Sequence, residues 1–462
     1  MANLYVITIN PIFELPYTII MRLRTIIALS LLPFFASAGG FQIPQQGIKS
    51  TGIAGAYTAI CMDASSVFYN PAGMNNLYGQ NFAIGAIGLM PYVSVQTPSN
   101  SNTDQTAATY TPIEFYYVGQ VCTKFRVGLS INNQFGSSAS YPTNWEGMYI
   151  VQSIALKTYM FQPTASYEIC KKLSIGAGAV YTLATFSDTK AVPVNSATEN
   201  NGEVNLSGTG SGFGYNVGLF SKLYEHPHIK DSGQHLPCIM VRSIQLGASF
   251  RSGVPVSIPK GDVAFSQIPY SLQSQFPSSE NFATNVNLPG VFSAGVAFNF
   301  SCGDAVNPKW NFMIAYDFNY NLWSTYDSLH ITFSNPNTPS AGYIYNYKNA
   351  MAHRMGLEIT YKGKYTLRGG YYIDGSPVQD GYVSPEVVDK TNSGFSVGAS
   401  YKVNCRNQYF SIDVAYLRSD FTNMNTAWTS QGFAASYHRI VNIFGIGVCY
   451  HFDNKNQGIY NL

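Results

Sequence analysis

The sequence predicts an all-β protein, a transmembrane antiparallel β-barrel of about fourteen strands, on three observations. Charged residues make up only 11% of the 462, while aromatic residues reach 15%, led by 34 Tyr and 29 Phe; a typical soluble domain is roughly 25% charged. Mean hydropathy is nevertheless -0.01. Past the N-terminal region there is no apolar run of about 20 residues, which a membrane-crossing helix requires. The third observation is a long series of segments in which apolar side chains alternate with small or polar ones, as in strands with one face toward lipid and one toward a lumen. The net charge of +2 lacks the basic bias of a nucleic-acid-binding surface.

The N-terminus reads as an export signal. Arg22 and Arg24 precede an apolar run from Ile26 to Ala36, and Ala36-Ser37-Ala38 has the small-residue form of a cleavage site. The expectation is a signal peptide over residues 1–38, with Met21 as the true start and Gly39 as the first mature residue. No cysteine follows the cleavage site directly, which argues against a lipoprotein. Residues 39–77 are rich in Gly, Ala and Ser and show no sustained alternation, so they form a separate segment ahead of a barrel over 78–452, with a tail over 453–462.

The alternation is explicit in places. Phe292, Val296, Phe298 and Phe300 alternate with Ser293, Gly295, Ala297 and Asn299; Ile244, Leu246, Ala248 and Phe250 alternate with Ser243, Gln245, Gly247 and Ser249. Strands are expected over 80–96, 110–121, 125–137, 154–169, 173–187, 204–223, 241–258 and 285–300. The series continues with 309–333, 346–361, 365–376, 391–403, 409–420 and 437–452, an even total as bacterial barrels require. Cys122-Thr123-Lys124, Cys170-Lys171-Lys172 and Lys362-Gly363-Lys364 read as tight turns, and 259–284, 377–390 and 422–436 as long loops. Short turns on one rim and long loops on the other are the mark of an outer-membrane barrel, the short side being periplasmic. A soluble sandwich has no reason to alternate this way. The long connection 224–240 breaks the rule. Cys122, Cys170, Cys302 and Cys405 fall in the short turns, where the periplasm permits disulfides, though spacing cannot show a pairing. The ending Gly447-Val448-Cys449-Tyr450-His451-Phe452 partly resembles the glycine-and-aromatic signal read by the barrel-assembly machinery.

A larger resemblance sits in the N-terminal segment. Gly39-Gly40-Phe41-Gln42-Ile43-Pro44 is followed by Gly47, Gly52, Gly55, Ala56 and Tyr57, and then by a run from Asp63 to Met74 that contains Asn70-Pro71-Ala72-Gly73. This resembles the N-terminal hatch of FadL/TodX-type outer-membrane transporters. Trp145-Glu146-Gly147, Pro163 to Tyr167, Leu173 to Gly178 and Phe250-Arg251-Ser252 extend the likeness over nearly the whole mature chain. The resemblance implies a barrel plugged by residues 39–77 and passive uptake of hydrophobic compounds such as long-chain fatty acids, with aromatic hydrocarbons as the alternative cargo. It also implies sideways release into the membrane through a gap at a kinked third strand. The partners it implies are the hydrophobic ligand, outer-membrane lipid and lipopolysaccharide, and the assembly machinery, for a monomeric chain.

The residues themselves place the kink. Phe125, Val127, Leu129, Ile131 and Phe135 share lipid-facing parity, but Asn133 interrupts them beside Asn132 and Gln134, with Gly136 beyond. Polar groups against lipid are costly and glycine marks bulges, so Asn132, Asn133, Gln134 and Gly136 are the expected lateral gate. Arg251 and Arg354 have lumen parity and are the candidates to hold a ligand carboxylate; the plainer reading is that each pairs with a lumen carboxylate such as Glu358. Ile87 and Leu89 suggest an apolar lumen wall. No catalytic residue, metal site or cofactor is expected. A wall-borne lipase would need a Ser–His pair, and no motif singles out a nucleophile near His330, His353 or His438. A general porin would need a more charged, open lumen, and a structural barrel would not need the hatch.

Overall fold

The computed structural model describes residues 40–43, 45–99, 101–106, 109–194, 201–226, 240–303, 308–379, 381–405, 408–426 and 432–452. The expected signal peptide, the tail 453–462 and most of the connection 224–240 lie outside these residues.

The first strands are β1 (Gln80–Gln96), β2 (Asn102–Asp104), β3 (Ile113–Gln120), β4 (Phe125–Asn132), β5 (Gly136–Ser140), β6 (Ser153–Cys170) and β7 (Leu173–Val192). Then come β8 (Gly202–Glu225), β9 (Met240–Arg251), β10 (Val254–Ser266), β11 (Glu280–Leu288), β12 (Val291–Gly303) and β13 (Pro308–Asn321). The remainder are β14 (Ser328–Phe333), β15 (Ala341–Ile344), β16 (Ala350–Tyr361), β17 (Tyr365–Asp374), β18 (Asn392–Cys405), β19 (Gln408–Thr426) and β20 (Ala435–Phe452). Antiparallel pairing runs β1-β3-β4-β6-β7-β8-β9-β12-β13-β16-β17-β18-β19-β20. β20 pairs back on β1, from Gln80 opposite Phe452 to Gln96 opposite Ser436, which closes a barrel of fourteen strands.

The alternation sets which side chains meet lipid. Ile84, Leu246, Phe292, Met355, Leu367, Ile412 and Ile446 are exposed on the outer face, while Ser243, Ser249, Ser293 and Asp413 on the opposite parity are buried inside. Closure of β20 on β1 removes the two free edges of the sheet, where each unmet backbone group at membrane depth would cost several kcal/mol.

The strands run far past the bilayer on the long-loop side. β8 has 24 residues, whereas about 10 suffice to cross a membrane. Two expectations are corrected here. The stretch 259–284 is not simply a long loop: β10 reaches Ser266 and β11 starts at Glu280, and both pair as continuations of the β9–β12 hairpin, interrupted at Ser252–Gly253 and Pro289–Gly290. The stretch 309–333 is two strands, broken by a 3-10 turn at Trp323–Thr325. Outside the membrane a strand gains from an inward apolar face as in any soluble sheet, so Val256, Ile258, Phe282, Val286 and Ile331 form a buried cluster there, and lipid-type patterning does not mark where membrane ends. The described cysteines, Cys61, Cys122, Cys170, Cys302, Cys405 and Cys449, are all unpaired.

Candidate functional site: the enclosed segment and the interrupted wall

Residues 45–77 lie inside the barrel and are almost entirely buried. They form one helical turn, α1 (Ile48–Thr51), a second, α2 (Ser66–Tyr69), and a 3-10 helix, Pro71–Asn76. An irregular chain in such a place must find partners for its backbone from the wall, and the wall supplies them with charged side chains. Asp317 on β13 accepts from the Tyr57 and Thr58 N–H groups at 2.8 and 2.7 Å. Glu114 on β3 accepts from Gly47 N–H at 2.8 Å. Arg126 on β4 donates to the Leu77 carbonyl at 3.2 Å. Arg354 on β16 donates to the Ala54 carbonyl at 3.1 Å, and Arg251 on β9 to the Phe68 carbonyl at 2.8 Å.

The wall is also thinned to receive the segment. A Cβ on Gly247 would stand 2.0 Å from the Thr58 carbonyl oxygen, one on Gly176 2.5 Å from Pro71, and one on Gly370 2.4 Å from Ile53. Asn70-Pro71-Ala72 meets the wall at two such glycines, Gly176 and Gly218. Asn70 caps the 3-10 helix by accepting from Ala72 N–H at 3.1 Å, and Pro71 takes its first position, where no N–H is needed. The Asn70 amide donates to Thr58 within the segment and to Leu219 of the wall, each at 3.0 Å. A side chain on Gly218 would meet Asn70 at 2.2 Å. Gly73 has no such demand on it, since its Cβ would make only ordinary contacts.

Asn132, Asn133, Gln134 and Gly136 span the place where one strand becomes two. β4 ends at Asn132 opposite Met160 and β5 starts at Gly136 opposite Lys157, so three residues face two on β6 and the strand bulges. β3 pairs with β4 only as far as Phe115 opposite Ile131, and β5 has no ladder with β3. The wall is therefore unzipped on that side of β5. The N-terminal end of the enclosed segment reaches into the gap: Ile43 N–H donates to the Gln134 carbonyl at 2.8 Å, and Gly136 N–H to the Phe41 carbonyl at 3.0 Å. Asn133 is turned inward, its amide bonded to the Thr158 carbonyl at 2.5 Å and its own carbonyl accepting from Gln46 at 3.3 Å. The polar run thus escapes lipid by leaving the strand's parity. Phe135 does so too, which corrects its expected lipid-facing position: it is 1% exposed and packs with Phe41 and Trp323.

Two cavities adjoin this gap. One of about 140 Å³ lies between β1 and β5 under residues 385–389, with Leu89, Val93, Val441 and Ile443 among its apolar walls. A smaller one, of about 70 Å³, lies deeper, and Gln42 and Asp374 border both. Arg251 and Arg354 both line the deeper cavity. They differ in their partners. Arg354 forks onto both oxygens of Asp374 at 2.7 Å, so it is already neutralised, and Glu358 instead pairs with Arg368 at 2.7 Å. Arg251 is stacked over the Phe68 ring at 4.3 Å and forms no ion pair with any carboxylate among the described residues. Asp317, Glu114 and Arg126 are anchors that the sequence reading misses; their lumen parity is the one signal that points to them. Among the described residues no cluster of His, Cys, Asp and Glu could hold a metal.

Asp389, in the loop roofing the larger cavity, is 1% exposed. Burial pushes its carboxyl up to about 6, with Arg439 at 3.5 Å and the Ser376 hydroxyl at 2.7 Å pulling the other way.

A closed fourteen-strand barrel with an apolar outer belt and an enclosed, wall-anchored segment is an outer-membrane channel protein. Comparison with known proteins agrees. Residues 29–452 match the family described as outer membrane protein transport protein (OMPP1/FadL/TodX), and the chain belongs to that family. It is 23% identical over 450 residues to the long-chain fatty acid transport protein of Escherichia coli K12, covering 88% of this chain and 94% of that one. It is 22% identical over 447 residues to the 47 kDa outer membrane protein of Pasteurella multocida, covering 92% and 97%. Its fold is that of a Pseudomonas aeruginosa FadL homologue (TM-score 0.72, 14% identity, 90% of this chain and 100% of that). It also matches the toluene transporter TodX of P. putida (TM-score 0.65, 15% identity, 89% and 99%). Members of this family are transporters or channels in the outer membrane.

Two outcomes are expected. Asn70→Ala removes three hydrogen bonds and leaves buried carbonyls unmet, at roughly 1 to 3 kcal/mol for each stranded group; thermal unfolding of the purified barrel, read by gel mobility, shifts to lower temperature. Asp389 holds its proton more tightly folded than unfolded, so protonation favours the docked loop. That contribution is complete below the ordinary value of 3.8 and is lost as pH rises through about 6. Hydrogen exchange in residues 383–389 is slower at pH 5 than at pH 7.5 once corrected for intrinsic rates, and Asp389→Asn removes the difference.

Proposed function

We propose that this chain is a passive channel that takes up long-chain fatty acids and releases them sideways into the outer membrane. The observation that carries this reading is the unzipped wall beside β5, filled by residues 41–43 and backed by a cavity whose lining mixes Leu89, Val93, Val441 and Ile443 with polar groups. A hydrophobic tail gains nothing from a watery pore. A sideways path along the apolar part of that lining to lipid keeps its methylenes out of water, worth about 0.8 kcal/mol for each one, and needs no energy source. In this reading residues 39–77 are the hatch, Asn70, Pro71, Ala72 and Gly73 form its docking turn with Asn70 and Pro71 against the wall, and Asn132, Asn133, Gln134 and Gly136 form the gate.

The acid head is assigned from charge. Arg251 borders the deeper cavity without a carboxylate partner, so it is the group that would receive a ligand carboxylate, with Arg354 closing the far side while bound to Asp374. The second reading, uptake of aromatic hydrocarbons, is favoured by the buried rings of Phe41, Phe135, Trp323 and Tyr326 next to the gap, a lining suited to a flat neutral molecule.

Uptake of labelled oleate and of toluene by a Gram-negative strain lacking its own transporter tests both. Oleate uptake by the full chain supports the proposal, toluene alone moves it to hydrocarbons, and uptake of neither from correctly assembled barrel overturns it. Arg251→Met is expected to weaken oleate binding by about 10- to 150-fold, as a lost hydrogen bond to a charged group is worth roughly 1.5 to 3 kcal/mol, and to leave toluene binding unchanged. Equal losses for both ligands would remove Arg251 from the ligand site.

A further inference from the structure

The short-turn rim carries a basic arc that uptake does not use. Lys309 opens β13, and Lys362 and Lys364 flank the β16–β17 turn. Lys309 and Lys362 are neighbours in space, the Lys362 N–H donating to the Lys309 carbonyl at 2.8 Å. Each ammonium sits over a tyrosine ring. Lys309 and Lys362 share Tyr361 at 5.7 and 5.4 Å, and Lys364 lies between Tyr365 and Tyr401 at 5.5 and 5.1 Å. Lys402 is not part of the arc: it stands over Tyr409, which shares the parity of the buried Ser411 and Asp413, so both face the lumen. No carboxylate of the described residues lies within 4.0 Å of any of the three.

Three like charges on one stretch of rim repel one another unless an anion stands among them. Rings such as Tyr365 and Tyr401, 51% and 40% exposed, mark the level of the membrane interface, and the ammonium groups resting on them are held at headgroup height. On the periplasmic side that level is occupied by phospholipid phosphates.

We infer that this arc, from Lys309 to Lys364, is a binding site for the anionic headgroup of inner-leaflet phospholipids, with phosphatidylglycerol chemistry. Tyrosine faces pre-position the amines, so little side-chain freedom is lost when a phosphate arrives. The site is separate from the fatty-acid path, and its success or failure is independent of the cargo.

The test uses the full chain refolded into phosphatidylcholine vesicles with trace spin-labelled phosphatidylglycerol or phosphatidylcholine, reading the motionally restricted fraction of each. The wild type is expected to select the anionic lipid about fivefold, within the range a few interfacial lysines supply. K309Q/K362Q/K364Q should bring this close to parity, as should salt at about 0.5 M, which shortens screening to a few ångströms. K260Q/K348Q, on the opposite rim, should keep the selectivity; gel mobility confirms that each variant is folded. Equal association of both lipids with the wild type overturns the inference, as does full selectivity in the triple variant. Selectivity lost equally in both variants overturns it too, because net charge rather than the arc would then be responsible.

Discussion

The constraint on which the rest of this structure depends is that an irregular chain is enclosed at membrane depth. Strands of the barrel satisfy one another around a closed ring. The 33 or so residues inside have no such ladder, and lipid offers no substitute. The wall therefore turns charged side chains inward and spends them on backbone groups: Asp317 on two N–H groups, Glu114 on one, and Arg126, Arg251 and Arg354 on carbonyls. A charge in this place would be costly alone. Bound to fixed backbone dipoles, and in the case of Arg354 to Asp374 as well, it becomes a specific fastener.

The same constraint explains the glycines. A side chain at Gly176, Gly218 or Gly247 would occupy the space of Pro71, Asn70 or Thr58. The lumen parity of these strands is small because something else must fit there, whereas the outer parity is free to be large and apolar. Read as strand patterning alone, such glycines look like weakness. Read against the enclosed segment, they are one half of a packed interface, and Asn70 with Pro71 is the other.

The barrel was legible because lipid enforces a strict two-residue period: β1 was expected over 80–96 and is found there, and most other strands agree within a few residues. Legibility falls where lipid stops enforcing it. Beyond the membrane, β10, β11, β14 and β15 fold as an ordinary sheet whose apolar residues point inward, so lipid-type patterning makes a loop of 259–284 and a single strand of 309–333. The polar run at Asn132–Gln134 did mark an irregularity, since polar groups could not continue at lipid parity. Its resolution depends on residues nearly 90 positions away, Ile43 and Gln46, whose bonds to Gln134 and Asn133 no local pattern encodes. The difference between Arg251 and Arg354 is likewise a matter of partners, and Asp374 lies 20 residues from Arg354 on the adjoining strand.

The interrupted wall is also best understood as a balance of backbone bonds. A gap beside β5 leaves donors and acceptors that a continuous strand would have paired. Residues 41–43 meet some of them with two hydrogen bonds, from Ile43 N–H and Gly136 N–H, and Phe41 seals the spot by packing edge-on against Phe135, Trp323 and Tyr326. Two hydrogen bonds at about 1 kcal/mol net each are a modest hold. The anchors deeper in the barrel are charged and more numerous. Displacing residues 41–43 thus costs far less than displacing the segment from 47 onward, where Glu114, Asp317 and the Asn70 contacts grip it. The part of the enclosed segment nearest the gap is thus the part held least, and the part packed against the lumen-facing glycines is the part held most.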